Sequence, residues 1–128
     1  MSLTERRHEY VLIPHADNSL YAVPTGSDQE SLVMLSDILP TGFECGVLKG
    51  CVEPGKTLAI VGAGPIGLAA LLTAQFYSPS EIIVIDLDDN RLATAKRFGA
   101  TATVNGSDGK ATEAVLKLTG GRGVDTAI

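Results

Sequence analysis

The sequence contains no tryptophan and only two cysteines, and acidic residues outnumber basic ones. Two cysteines cannot build the disulfide framework of a small secreted domain, so we expect a reducing environment and a cytoplasmic location. Ten lysines and arginines against fifteen aspartates and glutamates give a net charge of −5. This balance provides no basic face for a nucleic acid or an anionic membrane, so we expect neither as a partner.

Long hydrophobic runs are also missing. The longest, residues 58–72, has fifteen residues and is interrupted by glycines and a proline, whereas a membrane-spanning helix needs about 20 apolar residues. The sequence therefore predicts no transmembrane segment. Glycine, in contrast, is frequent, with 14 residues among 128. Because these glycines follow no collagen period and form no low-complexity tract, we expect them at turns and close contacts.

The chain before Pro54 has an irregular pattern. Residues 10–13 and 20–23 are predicted as two short strands, joined by a turn over residues 14–19. A ribbon of two strands is not stable alone in water, so it needs a surface to pack against. The two histidines, His8 and His15, lie in this region without a companion metal ligand, and we expect both at the surface.

Two helices are predicted before Pro54. Residues 29–39 carry apolar side chains at helical spacing, and Pro40 with Gly42 is expected to end this helix. A further helix is predicted over residues 43–51. It contains both cysteines, which are six residues apart and are interpreted as small buried side chains rather than metal ligands.

From Thr57 onward, continuous apolar strands alternate with helices. Strands of this kind are buried on both faces, and the alternation favours a parallel sheet with right-handed crossovers. The predicted strands are 57–61, 81–85, 101–104 and 124–128, and the predicted helices are 66–77, 90–98 and 111–119. The helix over 66–77 is apolar nearly all round, so we expect it to be buried.

The strongest motif is Gly62-x-Gly64-x-x-Gly67, between the first of these strands and its helix. Gly62 permits a tight turn, Gly64 lets a pyrophosphate approach the backbone, and Gly67 allows close packing of helix and strand. The start of the helix favours an anion, and Pro65 suits a first-turn position. The alternative is a tight turn that binds nothing.

Asp86 follows Gly67 by nineteen residues and closes the second strand. A carboxylate there can accept hydrogen bonds from the hydroxyls of an adenosine ribose and repels a 2′-phosphate, which favours NAD over NADP. Two alternatives remain for Asp86, a helix cap and a solvated strand end. Arg91 either contacts a ribose or phosphate or is an ordinary solvated residue.

Asp37 lies within an apolar stretch, residues 32–39. A carboxylate buried there needs a metal, a cation or backbone N–H groups as a partner. From spacing alone, capping of the following helix by Asp37 or Ser36 is favoured over metal binding.

Taken together, five segments resemble the medium-chain, zinc-dependent alcohol dehydrogenases, and the match extends from about Tyr10 to Ile128. Their joint order and spacing is more specific than any single segment. The segments are MLSDILPTGFE (34–44), VGAGPIGL (61–68), VIDLDDNR (84–91), AKRFGA (95–100) and TGGRGVD (119–125).

The resemblance implies roles for individual residues. Asp37 matches the position of a catalytic zinc ligand, which shifts the preference for this residue from cap to metal. Thr41 matches a residue near the nicotinamide. The implied cofactor-binding residues are Gly62, Gly64, Pro65, Ile66, Gly67, Asp86, Leu87 and Arg91.

The resemblance also implies an activity, the transfer of hydride between a small alcohol or aldehyde and NAD, with zinc polarising the alcohol oxygen. The family's chains are much longer, and the Cys and Gly-His-Glu zinc ligands and the four-Cys structural zinc lobe have no counterpart here. A catalytic zinc needs three protein ligands, so we expect this chain alone to hold no zinc and to be inactive.

We therefore expect a fragment of an α/β protein with a Rossmann-type doubly wound parallel sheet in the strand order 3-2-1-4. Residues 1–53 are interpreted as a remnant of a catalytic domain with junction helices, and 54–128 as the first half of the NAD(P)-binding domain, truncated in strand 4. The open edge of strand 4 invites pairing between chains, so a homo-oligomer is also an expectation. The alternative function is a stand-alone NAD(H)-binding regulatory module, which leaves Asp37 and Thr41 unexplained.

Overall fold

The computed structural model describes Tyr10 and residues 12–128, and its second half contains a parallel sheet of four strands. The strands lie in the order β3-β2-β1-β4, which confirms the predicted α/β Rossmann-type sheet. The strands are β1 (Thr57–Val61), β2 (Glu81–Asp86), β3 (Ala102–Asn105) and β4 (Thr126–Ala127). The α-helices are α1 (Ala16–Ser19), α2 (Gln29–Val33), α3 (Ile38–Thr41), α4 (Pro65–Ala74), α5 (Asp89–Arg97) and α6 (Ala111–Leu118).

Two further helical segments complete the elements. A π-helical segment, Gly42–Leu48, follows α3, and a short 3₁₀ turn, Gln75–Tyr77, follows α4. The larger of two core clusters lies between the sheet and α4, where Leu58, Ile60 and Leu71 are almost completely buried. The smaller cluster joins Ile83 and Val104 of the sheet to Val115 of α6. None of the helices among the described residues is long and apolar enough to cross a membrane.

Helix α5 follows the sequence prediction closely at both ends. The carboxylate of Asp88 accepts a hydrogen bond from the backbone N–H of Asn90 at 2.7 Å and so caps the helix. Gly99 follows the helix with a φ of +108°, the left-handed region that glycine tolerates. Leu92 and Ala95 are buried as expected, whereas Phe98, the residue that ends the helix, remains 39% exposed.

Helix α4 corrects the expectation that it is buried all round. Ala69, Ala70 and Leu71 are buried, but Leu72 is 40% exposed, and Phe76, which the prediction included in the helix and which lies in the following 3₁₀ turn, is 81% exposed. The sheet and the π-helical segment cover only part of the helix surface. The prediction of complete burial, which was based on the uniformly apolar composition of the helix, is therefore wrong.

The predicted two-strand ribbon is wrong for the residues that the structure describes. Tyr10, Leu12 and Ile13 belong to no strand, and Val11 and His8 lie outside the described residues. Residues 20–23 are also irregular, and Tyr21 is 91% exposed. A short apolar run forms a strand only where a neighbouring strand pairs with its backbone. Within the described residues, neither of these two runs pairs with a strand.

The helix predicted over residues 29–39 is divided in two, and Pro40 with Gly42 does not end it. Pro40 is the third residue of α3, where its missing N–H would have had no partner within the helix. Gly42 continues into the π-helical segment. A Cβ at Gly42 would lie 2.7 Å from the Cβ of Ala69. Glycine therefore permits a close approach to α4 instead of breaking the helix.

Candidate functional site

The glycine motif forms the turn between the carboxyl end of β1 and α4. Gly62 has a φ of +106°, and its N–H donates to the carbonyl of Ile85 on β2 at 2.7 Å. A Cβ on Gly67 would collide with the carbonyl oxygen of Gly62, so only glycine fits the helix against the turn. A Cβ on Gly64 would meet no atom within 4 Å. The backbone at Gly64 therefore faces open space.

Helix α4 begins directly at this open space. Gly64 is its N-cap residue and Pro65 its first residue. The first N–H groups of a helix have no carbonyl partner within the helix, and the helix dipole adds a partial positive charge there. The turn therefore presents unpaired backbone donors toward the cleft, an arrangement suited to an anion.

Asp86 ends β2 next to this turn, and its carboxylate is held by backbone N–H groups. Its Oδ2 accepts from the N–H of Ala63 at 2.7 Å, and its Oδ1 accepts from Leu87 at 2.8 Å and Asp88 at 2.9 Å. These hydrogen bonds, above all that from Ala63, lower the pKa of Asp86 below its ordinary value. The carboxylate is therefore ionised at neutral pH.

The cap alternative for Asp86 does not hold, because Asp88 caps α5. The Asp86 side chain is only 9% exposed, so it is no ordinary solvated strand end either. Arg91 is close to it, with Nη1 4.0 Å from Oδ2, but its own side chain is 60% exposed. The short contacts to the carboxylate therefore come from the three backbone N–H groups, and Arg91 lies farther away.

Two neighbouring clefts open around these residues and share Val61 and Gly62 in their walls. The first, which we call the glycine cleft, has a volume of about 480 Å³; besides the glycine motif it is lined by Thr41, Gly42, Cys45, Gly46, Ile60, Ala70 and Ile128. The second, which we call the acidic cleft, has a volume of about 420 Å³; it is lined by Val61, Gly62, Ile85, Asp86, Leu87, Asp88 and Arg91. The two clefts adjoin at these shared residues, along the carboxyl ends of β1 and β2, and we refer to them together as the crevice.

Asp37 and Thr41 lie one helical turn apart at the two ends of α3. The Thr41 hydroxyl donates to Oδ1 of Asp37 at 2.7 Å. Asp37 is exposed, so the premise that it needs a partner to offset burial is wrong. It makes no capping hydrogen bond, and the hydroxyl of Ser36 donates to Val33 instead, so neither residue caps α3 through its side chain. Thr41 lines the glycine cleft, whereas Asp37 does not.

The described residues contain no cluster of three or more His, Cys, Asp and Glu side chains that could hold a metal ion. His15 is exposed, as expected. Both cysteines are also exposed, which corrects the expectation that they are buried. The π-helical segment buries Gly46 and Val47 against the fold and directs Cys45 outward, into the wall of the glycine cleft. Sequence reasoning missed this placement because the π-helical spacing differs from the α-helical spacing it assumed.

Asn105 is a second residue near the crevice that sequence reasoning missed. It is the last residue of β3 and lies opposite Asp86 in the sheet register. Its Nδ2 donates to Oδ1 of Asp89 at 2.6 Å, and its Oδ1 accepts from the N–H of Ser107 at 3.0 Å. Its position in the sequence could have indicated this placement, because Asn105 follows the third predicted strand and the carboxyl ends of parallel strands meet at one edge of the sheet.

Comparison with known proteins places residues 65–128 in the family model described as zinc-binding dehydrogenase. An alcohol dehydrogenase from Cupriavidus necator is 41% identical over 120 residues, covering 94% of this chain and 32% of that protein. An NADP-dependent isopropanol dehydrogenase from Thermoanaerobacter brockii is 36% identical over 120 residues, covering 94% of this chain and 34% of that protein. The chain thus spans about a third of the length of the curated relatives it matches.

Among solved structures, a zinc-dependent alcohol dehydrogenase 2 from Streptococcus pneumonia superposes with a TM-score of 0.86 at 62% sequence identity. The superposition covers 93% of this chain and 34% of that protein. The fold and its strand order are therefore those of the corresponding part of a dehydrogenase.

Proposed function

The chain belongs to the zinc-binding dehydrogenase family, and from this membership we propose that it forms the cofactor site of an oxidoreductase that transfers hydride between an alcohol and NAD. The observation that carries the proposal is the crevice in which the glycine turn, the start of α4 and Asp86 come together. Ligands of open parallel sheets bind outside the carboxyl ends of the strands, where this crevice lies.

The glycine cleft is the proposed site of the pyrophosphate. The absence of side chains at Gly62 and Gly64 leaves the backbone accessible, and the first N–H groups of α4 provide donors for phosphate oxygens. Pro65 and Ile66 line the same wall. Thr41, which also lines this cleft, is proposed to contact the nicotinamide side of the cofactor.

The acidic cleft is the proposed site of the adenosine. Asp86 is ionised and fixed, so it accepts from a ribose hydroxyl and repels a 2′-phosphate. A carboxylate has about four acceptor positions, of which three are occupied by backbone N–H groups, so Oδ2 retains one for the ribose. Leu87 is 70% exposed and offers apolar surface to the adenine.

We propose NAD rather than NADP on this basis, although one relative, the Thermoanaerobacter brockii enzyme, is named as NADP-dependent. Arg91 is the one described cation at the acidic cleft, and its distance of 4.0 Å from Asp86 places it within reach of a bound ribose or phosphate. The carboxylate is buried and held by three N–H groups, whereas Arg91 is mostly exposed, so Asp86 dominates the proposed selectivity.

Zinc enters the proposal only through Asp37. The described residues do not build a metal site, and a catalytic zinc needs three protein ligands. We propose Asp37 as one zinc ligand of an intact enzyme, whose substrate is a small alcohol or aldehyde. We also propose that the chain divides between residues 53 and 54 into a catalytic-domain part and a cofactor-binding part, and that the intact enzyme assembles into a homo-oligomer.

The alternative of a stand-alone regulatory module finds no support among the relatives, which are named as dehydrogenases. The glycine turn and Asp86 would serve either function, but the similarity covers 94% of the chain in those enzymes and includes α3 with Asp37 and Thr41.

Calorimetric titration with ADP-ribose and 2′-phospho-ADP-ribose tests the proposal, because these ligands contain only the parts of the cofactor assigned to the two clefts. We expect saturable binding of ADP-ribose and at least about tenfold weaker binding of the 2′-phosphorylated form, as one unfavourable charge contact of about 1.4 kcal/mol would produce. Parallel titrations with NADH and NADPH show whether the nicotinamide half adds affinity. Absence of ADP-ribose binding would contradict the assignment, and equal affinities would contradict the exclusion of a 2′-phosphate by Asp86 and would indicate that Arg91 accommodates it.

A further inference from the structure

The carboxyl end of β3 lies against the segment that follows Asp86. Asn105, the last residue of β3, is opposite Asp86 in the register, and the N–H of Gly106 donates to the carbonyl of Asp86 at 3.0 Å. Asn105 does not itself line the acidic cleft. Any effect on a ligand must therefore act through the residues that it contacts.

The Asn105 amide connects three parts of this edge. Its Nδ2 donates to the carboxylate of Asp89 at 2.6 Å and, over a longer distance of 3.4 Å, to the carbonyl of Leu87. Its Oδ1 accepts from the N–H of Ser107 at 3.0 Å. Because both ends of the amide are engaged, its orientation is defined. The side chain therefore ties the end of β3 to residues 87–89.

Residues 87–89 in turn fix the carboxylate of Asp86. The N–H groups of Leu87 and Asp88 are the two donors to its Oδ1. Displacement of this segment would remove both donors and move the Leu87 side chain in the wall of the acidic cleft. The positions of Asp86 and Leu87 thus depend on whatever holds residues 87–89 in place.

We propose that Asn105 is a positioning residue for cofactor recognition, which fixes residues 87–89 and through them the carboxylate of Asp86. The inference rests on the proposed function, since it concerns the adenosine side of the same site. Asn105→Ala removes a hydrogen bond to a charged group, and we expect ADP-ribose to bind about fivefold more weakly, less than the full loss of such a bond would give because Asn105 acts on the ligand only through residues 87–89.

Two measurements on the full chain test the inference, with Asn90→Ala as the matched control, because Asn90 is an exposed asparagine in the first turn of α5. Calorimetry gives the affinity for ADP-ribose, and hydrogen exchange of the Leu87 and Asp88 amides reports the mobility of the segment without any ligand. Asn105→Ala should weaken binding and accelerate exchange of both amides, while Asn90→Ala changes neither.

Variants that swap the amide and the carboxylate between residues 105 and 89 separate a positioning role from a general loss of structure. N105D places a second carboxylate beside Asp89 and should weaken binding by more than N105A. The double variant N105D/D89N reverses donor and acceptor at the same net charge, and it should recover most of the lost affinity and of the slow amide exchange.

Exchange rates of N105A that equal those of the wild type, or a double variant no better than N105D, would overturn the inference. The failure of the proposed function has a different signature, since the wild-type chain would then bind no ADP-ribose. In that case the exchange rates still decide whether Asn105 fixes residues 87–89.

Discussion

Replacing Asp86 by asparagine changes the hydrogen bonds of one carboxylate while keeping the shape of the side chain. The amide oxygen can still accept from Leu87 and Asp88, but the amide nitrogen then faces the N–H of Ala63, which now donates to Oδ2 at 2.7 Å. Two donors facing each other cannot form a hydrogen bond. The substitution therefore removes one of the hydrogen bonds that join the glycine turn to β2, and leaves the bond from Gly62 to Ile85 in place.

The magnitude follows from the hydrogen bonds involved. A hydrogen bond to a charged group contributes about 1.5–3 kcal/mol and one between neutral groups about 1 kcal/mol. D86N loses the bond from Ala63 and weakens the two others, and the side chain is only 9% exposed, so water does little to replace them. We expect the free energy of unfolding to fall by about 3 kcal/mol.

Urea unfolding followed by circular dichroism measures this change, and calorimetry measures ADP-ribose binding on the same samples. Asp17→Asn is the matched control, because Asp17 lies in α1 and lines neither of the two clefts. The control should unfold and bind as the wild type does. An unfolding midpoint of D86N equal to that of D17N would refute the reasoning that Asp86 holds the glycine turn.

Three further predictions concern the same turn. Gly67→Ala should lower the free energy of unfolding by about 2 kcal/mol in urea titrations, because its Cβ collides with the carbonyl of Gly62; an unchanged midpoint would contradict this packing. Gly64→Ala should leave the free energy of unfolding near that of the wild type, since the added Cβ meets no atom within 4 Å. The same Cβ should weaken ADP-ribose binding at least about tenfold, because it occupies the space proposed for the phosphate. Unaltered affinity would place the phosphate elsewhere. The pKa of Asp86 is lower in the folded chain than its ordinary value, so its contribution to stability is complete above about pH 4 and is lost as the pH falls through the lowered pKa. The free energy of unfolding of D86N should therefore depend less steeply on pH below about 4 than that of the wild type. Parallel pH profiles of the two proteins would argue against an ionised, hydrogen-bonded Asp86.

The sheet could be predicted from the sequence because burial on both faces leaves a continuous apolar pattern. The prediction for β1, residues 57–61, matches the structure, and β2 differs by one residue at its carboxyl end. The first part of the chain was less predictable, because its structure depends on tertiary contacts. Pro40 is tolerated in the first turn of α3, and Gly42 is required by the approach of α4 rather than by a turn.

The part of the site that lies at the ends of the strands could be predicted from the sequence. The convergence of the glycine motif and Asp86 follows from the rule that parallel strands end at one edge of the sheet. The bond between Ala63 and Asp86 and the position of Asn105 could not be predicted, because both depend on the exact register of neighbouring strands. The outward direction of Cys45 depends on the π-helical spacing, which leaves no known mark in the pattern of apolar residues.

The hydrogen bond between Ala63 and Asp86 has a consequence for the thermodynamics of cofactor binding. It links the turn proposed to bind phosphate to the carboxylate proposed to bind ribose before any ligand arrives, so the entropy of ordering these loops is lost during folding and not during binding. The two halves of ADP-ribose then meet surfaces at a fixed separation, and the second half binds at the high effective concentration that the first provides. Phosphate and adenosine added as separate molecules should together bind far more weakly than the same groups joined in one ligand.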